Sequence, residues 1–333
     1  DHDALEFAIS LGGELAGEVN KHFKKPINLQ FEKVYKPYIL YKKKRYIGGL
    51  WTNPDERDCV DMKGLQTVRR DTTPYTKKIM RECIDVMVTD ITEEDIDKEK
   101  EHVDNEKKFF REQMDTTTGP TKRTWSECLE ALGDTEEMNA GGALERKMAR
   151  IVKKASMDLV EGRVEEKDLY MTFGLNTKKL DEGSSQANVN LVSRIKKRAP
   201  GTEPAVGDRW NVVCVQEAHH MEAKKDRYNS QASAYERWET PEWIRQCNEA
   251  NPGGKDHKKP YYRWDMRYYM EKQLENPLCD LLEPFGGQQK NLFLASKQIL
   301  KKQEEGIRRK NLRFVTGQRT LAAFMAPKAK PTQ

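Results

Sequence analysis

The sequence predicts an α+β protein: a small antiparallel sheet with one helix, then a mostly helical region, then a disordered C-terminal tail. Three observations carry that reading. Near the N-terminus apolar residues recur at helical spacing, and after Pro26 they alternate with polar ones. From Thr76 onward the helical period returns and dominates. After Ala326 the chain holds no core-forming side chains.

The elements follow in order. Leu5, Ile9, Gly12, Ala16 and Val19 mark one buried face of a first helix. Ile27, Leu29 and Phe31 alternate with Asn28, Gln30 and Glu32, the pattern of a half-buried strand. Tyr38-Ile39-Leu40-Tyr41 and Tyr46-Ile47-Gly48-Gly49-Leu50-Trp51 are two further strand pieces flanking a cationic stretch, and Asn53-Pro54-Asp55 has turn chemistry. Residues 1–72 thus form one helix-plus-sheet unit. Ile79, Cys83, Val86 and Met87 open the helical region, residues 73–300. Within it, residues 91–142 read as a charged insertion with no assigned chemistry. Leu144, Met148, Ile151, Val152, Ala155 and Leu159 share a helix face, and Asp168 to Phe173 reads as a short strand. Val189, Val192 and Ile195 mark a helix ending in Lys196-Lys197-Arg198, and Trp210 to Val215 reads as a strand. Met270, Leu274, Leu278, Leu281 and Leu282 lie on one face of a late helix, which Pro277 is expected to kink by removing a backbone donor. Residues 301–333 read as a basic linker and tail.

Composition narrows the class. With 333 residues the chain has room for about two domains. Hydrophobic residues make up 36% and charged residues 34%, so much of the surface is solvated charge. No apolar run reaches the roughly 18 residues of a membrane span, and Asp1-His2-Asp3 does not open a secretion signal. An intracellular protein without a membrane partner is expected. Six scattered cysteines with no C-x-x-C pair argue for reduced thiols rather than zinc or disulfides. A net charge of +5 says little by itself; the grouping of basic residues says more.

The densest grouping is Lys42-Lys43-Lys44-Arg45-Tyr46, between strand-like pieces, with Lys63-Gly64-Leu65 and Val68-Arg69-Arg70-Asp71 some twenty residues on. Cationic side chains on a rigid sheet suit a phosphate backbone, because each neutralised phosphate releases counterions. Such a run also keeps an edge strand soluble and unpaired, and composition leaves both readings open.

The order of motifs is more specific. Pro26-Ile27-Asn28-Leu29-Gln30-Phe31-Glu32-Lys33-Val34-Tyr35, Pro37-Tyr38, Lys43-Lys44-Arg45-Tyr46 and Lys63-Gly64-Leu65 with Val68-Arg69-Arg70-Asp71 closely resemble the B-family DNA polymerases. Arg198-Ala199-Pro200-Gly201 with Val206-Gly207-Asp208-Arg209, and Tyr268 through Phe285, continue the likeness. The resemblance covers about residues 4–90 and 143–286. It implies that residues 1–72 are the end of a polymerase palm and 73–300 a thumb. By the same resemblance Lys44 and Tyr46 reach the minor groove of a primer–template duplex, and Lys43, Arg45, Lys63, Arg69 and Arg70 hold its phosphates. Lys196, Lys197, Arg198 and Arg209 are further backbone candidates, or else an ordinary solvated surface. The departures are Gln30, Gln66 and Ile47 at positions where the family usually has Glu, Glu and Ala.

The family's D-x-x-S-L-Y-P, K-x-x-x-N-S-x-Y-G and Y-G-D-T-D-S motifs do not occur in this sequence. The palm carboxylates that hold two Mg2+ ions for dNTP addition are therefore expected upstream of Asp1, with no catalytic residue or metal site here. Gln318-Arg319-Thr320-Leu321-Ala322-Ala323-Phe324-Met325 is similar to the box that docks proteins on sliding clamps of the proliferating-cell-nuclear-antigen type. Leu321, Phe324 and Met325 would form the plug and Gln318 the polar contact. The eukaryotic delta-type members of that family carry cysteine clusters at this end and this sequence has none, so the resemblance implies an archaeal-like or large-DNA-virus enzyme; the location expected from it is intracellular, in a nucleus or at a viral replication site. The sequence thus reads as the C-terminal part of a replicative DNA-directed DNA polymerase. The alternative is a non-catalytic, clamp-tethered DNA-binding module.

Overall fold

The computed structural model describes residues 2–65, 67, 71–116, 138–176, 186–216, 237–256, 259–286 and 289–315. Helix α1 (His2–Asn20) leads into an antiparallel sheet of β1 (Val34–Lys42), β2 (Arg45–Trp51) and β3 (Cys59–Lys63), in that order. Then come α2 (Pro74–Val88), α3 (Glu93–Thr116), α4 (Ala140–Val160), β4 (Met171–Gly174), α5 (Ala187–Arg198) and β5 (Arg209–Cys214). β6 (Trp238–Glu239) completes a second sheet, ordered β4-β5-β6, and α6 (Pro241–Ala250) follows. The last described elements are α7 (Met266–Tyr268), a π-helical stretch Tyr269–Glu275, α8 (Asn276–Leu282) and α9 (Leu294–Val315). The α+β class holds. No helix among the described residues is long and apolar enough to cross a membrane, and Cys59, Cys83, Cys214, Cys247 and Cys279 are free thiols.

Local chemistry explains the principal elements. In α2, Thr73 caps the N-terminus by accepting from Thr76 N at 3.2 Å, and Pro74 sits in the first turn, where its missing N–H costs nothing. Ile79, Met80, Cys83, Ile84 and Met87 form its buried stripe. Asn139 caps α4, whose Met148, Val152, Ala155 and Leu159 face the same core. That core is continuous from Ile47 of the first sheet through α2 and α4 to Tyr269, Leu278, Phe293 and Leu300.

Helix α3, within the charged stretch 91–142, is tied to α4 by ion pairs. Its Glu99, 4% exposed, receives both guanidinium nitrogens of Arg150 on α4, and Asp95 meets Lys147 at 3.3 Å. Threonine hydroxyl and amide donors at Thr92 and the ammonium of Lys147 hold the Asp95 carboxyl at a pKa of about 2.

One expected element needs correction, and the expectation at Pro277 takes a specific form. Residues 27–31 form no strand: β1 begins at Val34, opposite Trp51 at the far end of β2, so no neighbour remains for the residues before it. The Asn20 side chain holds Leu29 instead, accepting from its N–H at 2.6 Å and donating to its carbonyl at 2.7 Å. The disturbance expected at Pro277 takes the form of a π-helical widening just ahead of it. Gln273 carries the carbonyl that an N–H at 277 would reach in an α-helix, and it accepts from Thr76 Oγ1 at 2.8 Å.

Candidate nucleic-acid interface

The period of two sorts the first sheet into opposed faces. Ile39, Ile47 and Met62 sit side by side in register and pack with Tyr41 on the core. The opposite face carries Leu40, Tyr46 and Lys63 in one row, with Tyr38, Gly48 and Asp61 in the next. Lys43 and Lys44, both exposed, form the tip of the β1–β2 hairpin, where Lys44 takes a left-handed φ of 65°. Gly64 brings the end of β3 against that tip. A Cβ there would lie 2.5 Å from the Lys44 carbonyl oxygen, and its φ is 70°. Lys63 is thereby brought beside the tip, with its side chain 60% exposed.

Arg45 has a different setting. Its guanidinium lies over the Tyr41 ring at 5.7 Å and is 3.8 Å from Asp280 of α8. Tyr41 donates its hydroxyl to the Leu281 carbonyl at 2.7 Å, and burial pushes its phenol pKa up. Arg45 and Tyr41 together brace the hairpin on α8.

The more distal candidates form a second group. Lys196 and Lys197 are exposed in the last turn of α5, where positive charge suits the helix dipole, and Arg209 is exposed on β5. Arg198 is committed to a buried partner. It donates twice to Glu239, at 2.9 and 3.1 Å, and its guanidinium lies 4.3 Å over the Trp243 ring. Arg69, Arg70, Gln318, Leu321, Phe324 and Met325 lie outside the described residues.

Three residues that sequence reasoning passed over belong to the outer face: Tyr35, Tyr38 and Asp61. Tyr35 and Tyr38 stack at 5.4 Å, and both rings pack on Tyr46, at 5.6 and 5.4 Å. Tyr35 donates to Asp61 at 2.5 Å, the main reason the Asp61 carboxyl is held below the usual carboxylate range. Gly48 makes room for this, because a Cβ there would lie 2.6 Å from the Tyr35 ring.

The sequence model of DNA polymerase family B matches residues 1–285, most of this chain. The chain belongs to DNA polymerase family B. Among its curated relatives, the DNA polymerase delta catalytic subunit of Glycine max is 31% identical over 297 residues, which is 89% of this chain and 20% of that protein. The delta catalytic subunit of Drosophila melanogaster is 30% identical over 283 residues, or 85% of this chain and 19% of that one. A solved family B polymerase from Pyrobaculum calidifontis overlaps 83% of this chain at a TM-score of 0.43 and 15% identity. The chain spans about one fifth of the length of its curated family B relatives. Among the described residues the one metal-compatible trio is His2, Asp3 and Glu6, all exposed at the start of α1. An exposed trio containing an imidazole does not fit Mg2+, which wants oxygen ligands in near-octahedral geometry, so no chemical step is assigned to it.

Proposed function

We propose that this family B chain is the part of a replicative DNA-directed DNA polymerase that grips the primer–template duplex, at an intracellular site of DNA replication. The carrying observation is the shared location of Lys43, Lys44, Lys63 and Tyr46: three exposed ammonium groups at the hairpin tip and β3 end, beside an aromatic outer face. Lysines at that edge suit phosphates, and a flat tyrosine surface suits the shallow minor groove, where base pairs look nearly alike. A grip of this kind holds any sequence while the duplex advances. Addition of dNTPs at two Mg2+ ions falls to carboxylates in the remainder of the polymerase.

The N-terminal helix supports the same reading. In α1, Phe7, Leu11, Leu15 and Val19 recur every fourth residue and are 67, 38, 55 and 38% exposed, Val19 lying here and not on the buried face expected of it; Phe23, 43% exposed, follows the helix, with Ile27 and Leu29 beyond it in sequence. An apolar stripe of this extent calls for a cover, and we assign it to the rest of the polymerase palm.

The test is a binding titration of the chain with primer–template duplexes of unrelated sequence. Dissociation constants within about tenfold of one another are expected, since phosphate contacts carry no sequence information. A chain that binds no duplex even at low salt overturns the reading. For the tail, we propose docking on a ring clamp through Gln318, Leu321, Phe324 and Met325. Phe324→Ala is expected to abolish that binding, and an unchanged affinity removes the clamp from the account.

A further inference from the structure

Asp61 puts a negative charge on a face otherwise dressed for phosphates. Lys63, 4.0 Å from its Oδ1, and Lys33 offset part of that charge, and the phenols beside it give the carboxylate a second role. Its Oδ2 accepts from Tyr35 at 2.5 Å, lies 3.4 Å from the Tyr46 hydroxyl and is 3.5 Å from Lys33 Nζ. The hydroxyls of Tyr35 and Tyr46 are 3.3 Å apart. The Asp61 side chain is only 16% exposed, whereas Tyr38, whose ring packs on those of Tyr35 and Tyr46, is 47% exposed.

The proton inventory decides which way Tyr46 points. An ionised carboxylate accepts only, and a phenol has a single proton to give. Tyr35 spends its proton on Asp61 through the short bond. Burial first and Asp61 second push the Tyr35 phenol pKa up, so that proton stays in place. Tyr46 then has two acceptors behind it, the Asp61 carboxylate and the Tyr35 oxygen, both within 3.4 Å. With its proton turned towards them, the hydroxyl has lone pairs left to accept from a ligand. In the minor groove the feature that meets a lone pair is the 2-amino group of guanine, because the other base edges there are acceptors.

We propose that Asp61 is a positioning residue for duplex recognition: it orients the Tyr46 hydroxyl so that its oxygen accepts from a guanine 2-amino group in the minor groove. This inference rests on the duplex-gripping reading above, and the experiment separates the two.

The full chain is titrated with a set of primer–template duplexes in which single guanines are replaced by inosine, which lacks the 2-amino group. A parallel set carries 3-deazaguanine, which lacks the N3 acceptor. At one position wild type is expected to lose about fivefold in affinity with inosine and to be indifferent to the 3-deaza base. Tyr46→Phe removes the inosine effect. Asp61→Asn, which replaces a pure acceptor with an amide that also donates, removes it too, with a melting temperature lower than wild type but well above the assay temperature and a far-ultraviolet circular dichroism spectrum like that of wild type. Asp61→Ser serves the same purpose if the amide unfolds the chain. A full inosine effect in both Asp61 variants overturns the proposal. Sensitivity of wild type to the 3-deaza base instead also overturns it, since the proton would then point outward. Indifference to both bases with strong duplex binding removes the proposal and leaves the grip standing, whereas no duplex binding at all removes both.

Discussion

Glu239 offers the sharpest test of how the second basic group is built. Its side chain is 0% exposed, and three bonds from two guanidiniums converge on it: Arg194 at 2.5 Å and Arg198 at 2.9 and 3.1 Å. Glu239→Ala removes all three and leaves two positive charges beside a cavity. Breaking a buried ion pair from one side costs about 3–5 kcal/mol, because the surviving charge loses its partner without regaining water. Here Arg194 and Arg198 keep 30 and 20% exposure, so solvent partly relieves them and the lower end, about 3 kcal/mol, applies. At about 2–4 °C per kcal/mol, the midpoint should fall by about 6–12 °C. Thermal unfolding followed by circular dichroism reads this directly. Glu239→Gln keeps an acceptor and should cost about half as much. A Glu239→Ala midpoint within about 2 °C of wild type would refute the reasoning, and Arg198 would then be as available to DNA as Lys196.

Gln273, 8% exposed, bolts α7–α8 to the start of α2: its Oε1 accepts from Thr73 N at 3.2 Å, and its Nε2 donates to the Asp71 carbonyl at 3.2 Å. Gln273→Leu strands a buried amide and a carbonyl, and denaturant unfolding should show a loss of about 2–4 kcal/mol. Asp95 sets an acid limit on α3. Its pKa of about 2 lies below the ordinary value of 3.8, so its stabilising effect is complete above pH 3.8 and lost as pH falls towards 2. Asp95→Asn should therefore lower the melting midpoint at pH 6 and leave it nearly unchanged at pH 2. Equal deficits at both pH values would contradict that assignment.

The sequence carried the fold unevenly, for physical reasons. Helices with a full apolar stripe, such as α2 and α4, were legible because period and burial coincide. The stretch 27–31 alternates as a strand does, yet alternation shows only that one side is apolar. Whether a neighbouring strand pairs with it depends on register, and β2 runs out at Trp51. β3 escaped notice because Cys59-Val60-Asp61-Met62-Lys63 is short and polar, and its pairing comes from β2 rather than from its own propensity. The candidate interface divides likewise, in where its residues lie. Lys43, Lys44 and Lys63 were readable as a run and a spacing. The role of Arg45 was not, because the face of a strand on which a residue falls is set by partners, here Tyr41 and Asp280. Tyr35 and Asp61 meet across 26 positions, and nothing local announces it.

The central claim is that the hairpin tip and β3 end hold duplex phosphates, and the salt dependence of binding measures that most directly. Each neutralised phosphate contributes about 0.9 to the slope of log affinity against log salt. If Lys43, Lys44 and Lys63 each meet one phosphate, replacing all three with alanine lowers the slope by about 2.7. A triple variant whose slope equals that of wild type would contradict the account, whatever its affinity at any single salt concentration.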